Sequence, residues 1–132
     1  KRGISLEFKA DEDLTVLGDA MKLQQAFYNL VDNAIKYSQE DTTVRIHLFR
    51  REHKAVVEVI DQGIGISPED QKHIFERFYR VDKARSRQTG GTGLGLSIVD
   101  TIIRQHQGEI RVQSQEEVGT TFTVELKIKE EK

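Results

Sequence analysis

Three groups of residues have types and spacings suited to chemistry. Asn29, Asn33, Lys36 and Tyr37 fall at i, i+4, i+7 and i+8, which on a helix is one stripe. Asn is a poor helix former, because its amide competes with the backbone for hydrogen bonds. Two of them one turn apart are either solvated amides or groups used by something outside the helix. Asp61 is followed by Gly63 and Gly65. Glycines there allow positive φ and let a planar group approach the backbone, which a Cβ would block. The third group is Gly90-Gly91-Thr92-Gly93-Leu94-Gly95-Leu96-Ser97-Ile98, a glycine loop opening into an apolar run. Bare N–H groups and the positive end of a helix dipole make such a start a phosphate site.

Together these groups cover the needs of Mg²⁺–ATP. Amide oxygens suit a hard cation that keeps most of its waters and sits on phosphate oxygens. Lys36 can pair with phosphate, and Tyr37 can pack its ring on a base. Asp61 can accept from the adenine N6 amino group, where guanine offers a carbonyl instead. Commoner chemistries are excluded. There is no G-x-x-x-x-G-K-[ST] loop, no strand–G-x-G-x-x-G–helix unit, and neither the H-R-D nor the D-F-G set. His47, His53, His73 and His106 are scattered, without metal-ligand spacing, and are expected to be surface or packing residues.

The 132 residues have room for one domain with a core, and no apolar run approaches the length of a membrane span. A start at Lys1 leads us to expect a piece excised from a longer chain. The absence of cysteine excludes disulfides and fits a reducing compartment, so a cytoplasmic location is expected. With 20 basic and 22 acidic side chains there is no general attraction to nucleic acid or anionic lipid. The exception is local: Arg80, Lys83, Arg85 and Arg87 crowd the segment just before the glycine loop.

Hydrophobic periodicity predicts the elements that must position these groups. Ile4 to Lys9 alternates as a half-buried strand, and Leu14 to Leu17 is expected to return beside it as a hairpin. Asp19 can cap a helix from Ala20 to Tyr37 with Leu23, Phe27, Leu30 and Ala34 on its core face. Thr42 to Arg50 and Ala55 to Ile60 read as two strands around a polar turn, the second ending at Asp61. Ser67 and Pro68 open a short helix, with Phe75, Phe78 and Tyr79 beyond it. Leu94 to His106 reads as a helix stopped by Gly108, and Ile110 to Gln113 with Thr120 to Ile128 as a closing strand pair.

The motifs in this order resemble the ATP-binding catalytic domain of sensor histidine kinases, within the gyrase, Hsp90, histidine kinase and MutL superfamily. Asn29 to Ser38 is similar to the N box, and Asp61-Gln62-Gly63-Ile64-Gly65 to the first glycine box. Phe75 to Arg80 resembles the F box, Gly91 to Leu96 the second glycine box, and Gly119-Thr120-Thr121-Phe122 the closing strand motif. The resemblance covers nearly the whole chain.

It implies an α/β two-layer sandwich, the Bergerat fold, with a mixed, mostly antiparallel sheet and helices on one face. It implies Asn33 as Mg²⁺ ligand helped by Asn29, Lys36 on phosphate, Tyr37 against adenine and Asp61 on its amino group. Gly63, Gly65, Ile66, Gly91, Thr92, Gly93, Leu94, Gly95, Leu96 and Thr121 would complete the nucleotide site. A lid would span residues 80–92, with Arg85 or Arg87 reaching the γ-phosphate. The hydrolysing branches carry a Glu where Asn29 stands; an amide cannot take a proton at neutral pH, which suits transfer to a protein acceptor. None of the four histidines is followed by an acid, as the family's phospho-acceptor is. The acceptor is therefore expected on a separate dimerisation domain of the parent kinase, probed in turn by a response regulator. This domain alone is expected to be a monomer without membrane or nucleic-acid contacts.

Overall fold

A computed structural model describes residues 3–11, 16, 18–76 and 95–128. The expected lid, with Arg85, Arg87, Gly91, Thr92, Gly93 and Leu94, lies outside the described residues, as do Phe78 and Tyr79.

The elements in chain order are β1 (Ser5–Ala10), α1 (Ala20–Tyr37), β2 (Thr43–Arg51), β3 (Lys54–Asp61), α2 (Pro68–Gln71), α3 (Gly95–Gln105), β4 (Glu109–Gln115) and β5 (Gly119–Lys127). The strands form one sheet in the order β1-β2-β3-β5-β4, with β1 parallel to β2 and every other pair antiparallel. This is the mixed, mostly antiparallel sheet expected.

α1 begins where the Asp19 side chain accepts the N–H of Lys22 at 3.1 Å. It ends at Ser38, which is extended and whose hydroxyl donates to the Ala34 carbonyl at 2.6 Å. Its buried face is Ala26, Leu30 and Ala34. These meet Val99, Ile102 and Ile103 of α3 over Val44, Val59, Phe122, Val124 and Leu126 of the sheet. The register explains the single core: Val59 faces Phe122, and Phe122 faces Val112, so alternate residues of three strands share one face. Phe75 joins this core edge-on to Phe122, with ring centroids 6.2 Å apart. The other face carries charge instead. There Arg111, Lys54 and Arg51 converge on the buried Glu125 carboxylate at 2.7, 3.4 and 3.6 Å.

The N-terminal region departs from expectation. β1 pairs in parallel with β2, and a parallel pair needs a crossover, which α1 supplies. The expected return strand at Leu14 to Leu17 lies outside the described residues except for Val16. Val16, the described residue within the expected return strand, bridges Ile128 beyond the end of β5. β1 is also exposed along its whole length. Leu6 and Phe8 pair with Val44 and Ile46 and so share the helix-side face, yet they are 56% and 69% exposed. β1 is an edge strand, and α1 and α3 pack over β2, β3 and β4 without covering it.

α3 ends with the Gly108 N–H on the Ile103 carbonyl, while the left-handed residue is Gln107 at φ 60°. Gly108 is needed for closeness: a Cβ there would run into the Glu125 carbonyl and stand 2.8 Å from Leu126 Cδ2. His106 locks the same corner. Its Nδ1 donates to the Ile102 carbonyl at 2.8 Å, leaving Nε2 to accept the Asp19 N–H at 2.9 Å. The ring thereby ties the end of α3 to the cap of α1, the packing role expected for it.

Gly108→Ala should cost about 1–3 kcal/mol, the usual penalty for forcing atoms into a filled space. Gly95→Ala, where an added Cβ meets nothing within 4 Å among the described residues, should be neutral or mildly stabilising. Urea unfolding of both variants measures this; equal stabilities would contradict the close approach at Gly108.

Candidate nucleotide site

The site is built where β3 ends. Asp61 is 6% exposed, and its Oδ1 accepts two backbone N–H groups, Gly63 at 2.9 Å and Thr120 at 3.2 Å. Its Oδ2 has no hydrogen-bond partner among the described residues. Burial pushes the carboxyl up from 3.8 to about 6, against the two backbone hydrogen bonds, which pull it down. A buried carboxylate with one oxygen saturated and the other open is an acceptor waiting for a donor.

The chain folds this way because three glycines permit it. A Cβ on Gly63 would collide with the Tyr37 carbonyl, and one on Gly119 with the Asp61 carbonyl. Gly65 has φ 76° and lies against the Gln115 backbone. The loop after Asp61 is then sewn to the end of α1. Ser38 and Gly63 form a bridge, the Ile64 N–H donates to Tyr37 O at 3.3 Å, and the Gln39 N–H to Gln62 O at 3.3 Å. This stitching sets the last turn of α1 beside Asp61, with Asn33 and Asn29 one and two turns back along the helix.

Asn29 and Asn33 are half-buried, and neither side chain hydrogen-bonds to another described residue. A partly exposed amide without a partner among the described residues remains available to water or to an external ligand. Lys36 is held by Asp32 at 3.2 Å. Tyr37 and Ile66 are half-buried, and Ile66 packs against the core. Gly95 opens α3, and Leu96 packs inward behind it. Among the described residues no group of three His, Asp or Glu is placed to hold a metal.

Thr121 pairs with Ile60 and so lies on the opposite face of the sheet from Asp61; the threonine in contact with Asp61 is Thr120. Two further residues escaped notice. Ser114 accepts the Ile66 N–H at 2.7 Å, and Gln71 donates to the Ile66 carbonyl at 2.8 Å. A polar Ser continuing the inward set Ile110 and Val112 was the available signal for the first.

The profile of the histidine kinase-, DNA gyrase B- and HSP90-like ATPases matches residues 18–130. The chain belongs to that family. The sensor-like histidine kinase SenX3 of Mycobacterium tuberculosis is 50% identical over 123 residues, covering 93% of this chain and 30% of SenX3. Among solved structures, the mycobacterial sensor histidine kinase MprB superimposes with a TM-score of 0.85 at 30% identity, over 98% of this chain and 85% of that one. Full-length ShkA in complex with AMPPNP gives 0.81 at 27% identity, over 96% of this chain and 26% of ShkA. Within the family, then, the fold and motifs are those of the catalytic ATP-binding domain of a bacterial sensor histidine kinase. The chain spans 30% of the length of SenX3, so that much of such a kinase is in view.

The raised Asp61 carboxyl has a stability consequence of definite sign. Between pH 3.8 and about 6 the folded domain keeps a proton that the unfolded chain has lost. Stability therefore falls as pH rises through that window, and the full cost, roughly 3 kcal/mol, is present above it. Asp61→Asn keeps an oxygen for Gly63 and Thr120 without the buried charge. It should be more stable than wild type at about pH 7.5, and the gap should close toward about pH 4. Urea unfolding at both pH values checks this; a gap that widens on acidification would contradict it.

Proposed function

We propose that this domain binds Mg²⁺–ATP and transfers the γ-phosphoryl group to a histidine on the dimerisation domain of its parent kinase, in a two-component signalling chain. The observation that carries this reading is the buried Asp61 carboxylate with one oxygen unpartnered among the described residues, together with two asparagine amides, likewise unpartnered there, one and two turns back along the helix whose end is stitched to the Asp61 loop.

In this reading Asp61 Oδ2 accepts from the adenine amino group, and the bare backbone at Gly63 lets the end of α1, which carries Tyr37, lie close to it. The Tyr37 ring packs on the base. Asn33, helped by Asn29, supplies amide oxygen to Mg²⁺, which when bound neutralises charge on the phosphate oxygens. Lys36 exchanges Asp32 for phosphate. The start of α3 at Gly95 offers its dipole and N–H groups to the phosphates. The second glycine box and the lid arginines Arg85 and Arg87 are assigned by resemblance.

The acceptor imidazole nitrogen forms a bond to the γ-phosphorus as the bond to the ADP oxygen breaks, and the ring proton passes to solvent. The domain's contribution is positioning and charge. Asn29, one turn before Asn33, has no lone pair basic enough to activate water, which favours transfer over hydrolysis. The same reading places the domain in the cytoplasm, as a monomer that meets the dimerisation domain directly and a response regulator through it. No described helix is long and apolar enough to cross a membrane.

The test mixes the domain, γ-labelled ATP and the parent's His-bearing dimerisation region. Acid-labile label on histidine is expected, with negligible phosphate release by the domain alone. Asn33→Ala should lower transfer about 100-fold or more while circular dichroism stays native. Undiminished transfer by that variant would contradict the Mg²⁺ role of Asn33.

A further inference from the structure

Asp61 is held by two N–H groups, and one side chain outside every recognised motif fixes the segments that carry them. Ser114 lies near the end of β4, half-buried. Its hydroxyl oxygen is 2.7 Å from the Ile66 nitrogen, 3.0 Å from the Gly119 carbonyl and 2.8 Å from Thr120 Oγ1. A serine hydroxyl has one proton and two lone pairs. The Gly119 carbonyl can only accept, so it takes that proton; Ile66 N–H fills one lone pair. The Thr120 hydroxyl then donates to the other. The oxygen is saturated, and the donor directions follow from counting protons.

Its partners are the two ends of the Asp61 clamp. Thr120 is the residue whose N–H meets Asp61 Oδ1, and Gly119 lies against the Asp61 backbone at a φ of 153°. Ile66 ends the loop that begins with Gly63, the other donor to Oδ1. Gln71 closes the arrangement, with its Nε2 2.8 Å from the Ile66 carbonyl and 3.3 Å from the Ser114 carbonyl. The Glu117 N–H adds a bond of 2.7 Å to the Ile64 carbonyl. Loop 62–66 is thereby pinned to the β4–β5 turn on one side, as it is to the end of α1 on the other. Without the Ser114 hydroxyl, an N–H, a carbonyl and a hydroxyl lose their partner together, and the loop and Thr120 are no longer tied to one atom.

We propose that Ser114, supported by Gln71, is a positioning residue for nucleobase recognition: it fixes loop 62–66 relative to Thr120 and so aims the Asp61 carboxylate. It therefore sets the preference for adenine over guanine nucleotides. The proposal rests on the reading of Asp61 as the adenine acceptor.

The test measures dissociation constants for Mg²⁺–ATP and Mg²⁺–GTP by displacement of a fluorescent ATP analogue from wild type, Ser114→Ala, Ser114→Thr and Thr120→Val. The ratio of the two constants is the deciding quantity, since partial unfolding raises both apparent dissociation constants by the same factor. Ser114→Ala should weaken ATP about 10-fold and GTP hardly at all, so that the ratio drops about 10-fold. Ser114→Thr, which keeps the hydroxyl, should recover most of it. Thr120→Val keeps the backbone N–H and loses one bond of the network, so its ratio should fall less; it also serves if the alanine variant does not fold. A ratio unchanged in both Ser114→Ala and Thr120→Val overturns the proposal while leaving the ATP site standing. A wild type that fails to bind Mg²⁺–ATP overturns the functional reading and this proposal with it.

Discussion

The site depends on keeping one carboxylate out of water at the end of a strand. Asp61 sits in the inner register of β3, opposite Thr120, where its neighbours along the same face are core residues. Two backbone N–H groups compensate part of its desolvation, and the rest remains as a carboxyl raised to about 6. Such a group destabilises the empty domain. It is tolerated because ordering the open oxygen in a dry place makes a later hydrogen bond to it strong and selective.

Much of the surrounding structure follows from that constraint. The N–H groups reach Oδ1 only if the chain turns back sharply after Asp61 and if β5 starts hard against it. Gly63 and Gly119 remove the side chains that would stand in the way. The turn then has to be held without side chains of its own. The end of α1 holds it through Tyr37, Ser38 and Gln39, and the β4–β5 turn holds it through Ser114 and Glu117. The asparagine stripe is carried on the same stitched helix, so in the proposed function cation and base recognition would share one frame.

Wherever a local rule applies, the fold was legible in the sequence. The Asp19 cap, the length of α1, the β2–β3 hairpin and the Ser67-Pro68 start all match their residues, because capping and alternation act within a few positions. The failures are long-range. Nothing local tells β1 to pair with β2 across an intervening helix, or leaves Leu6 and Phe8 outside the helix layer. The site shows the same division. Asp61 with its glycines and the spacing of Asn29 and Asn33 could be read directly. That Thr120 and not Thr121 faces Asp61 depends on the parity of the β3–β5 register, and Ser114 and Gln71 matter only through what the fold sets beside them. The lid assignments rest on resemblance and lie outside the described residues.

The central claim is that the open oxygen of Asp61 reads the adenine amino group. The direct measurement compares binding of ATP with binding of purine riboside triphosphate, which lacks only that amino group, to wild type and to Asp61→Asn. In the variant the amide oxygen stays with Gly63 and Thr120, and an NH₂ donor replaces the acceptor. Wild type should prefer ATP by about 10-fold or more, the usual worth of a hydrogen bond to a charged acceptor, and the variant should show no preference. Equal binding of the two nucleotides by wild type would contradict the account.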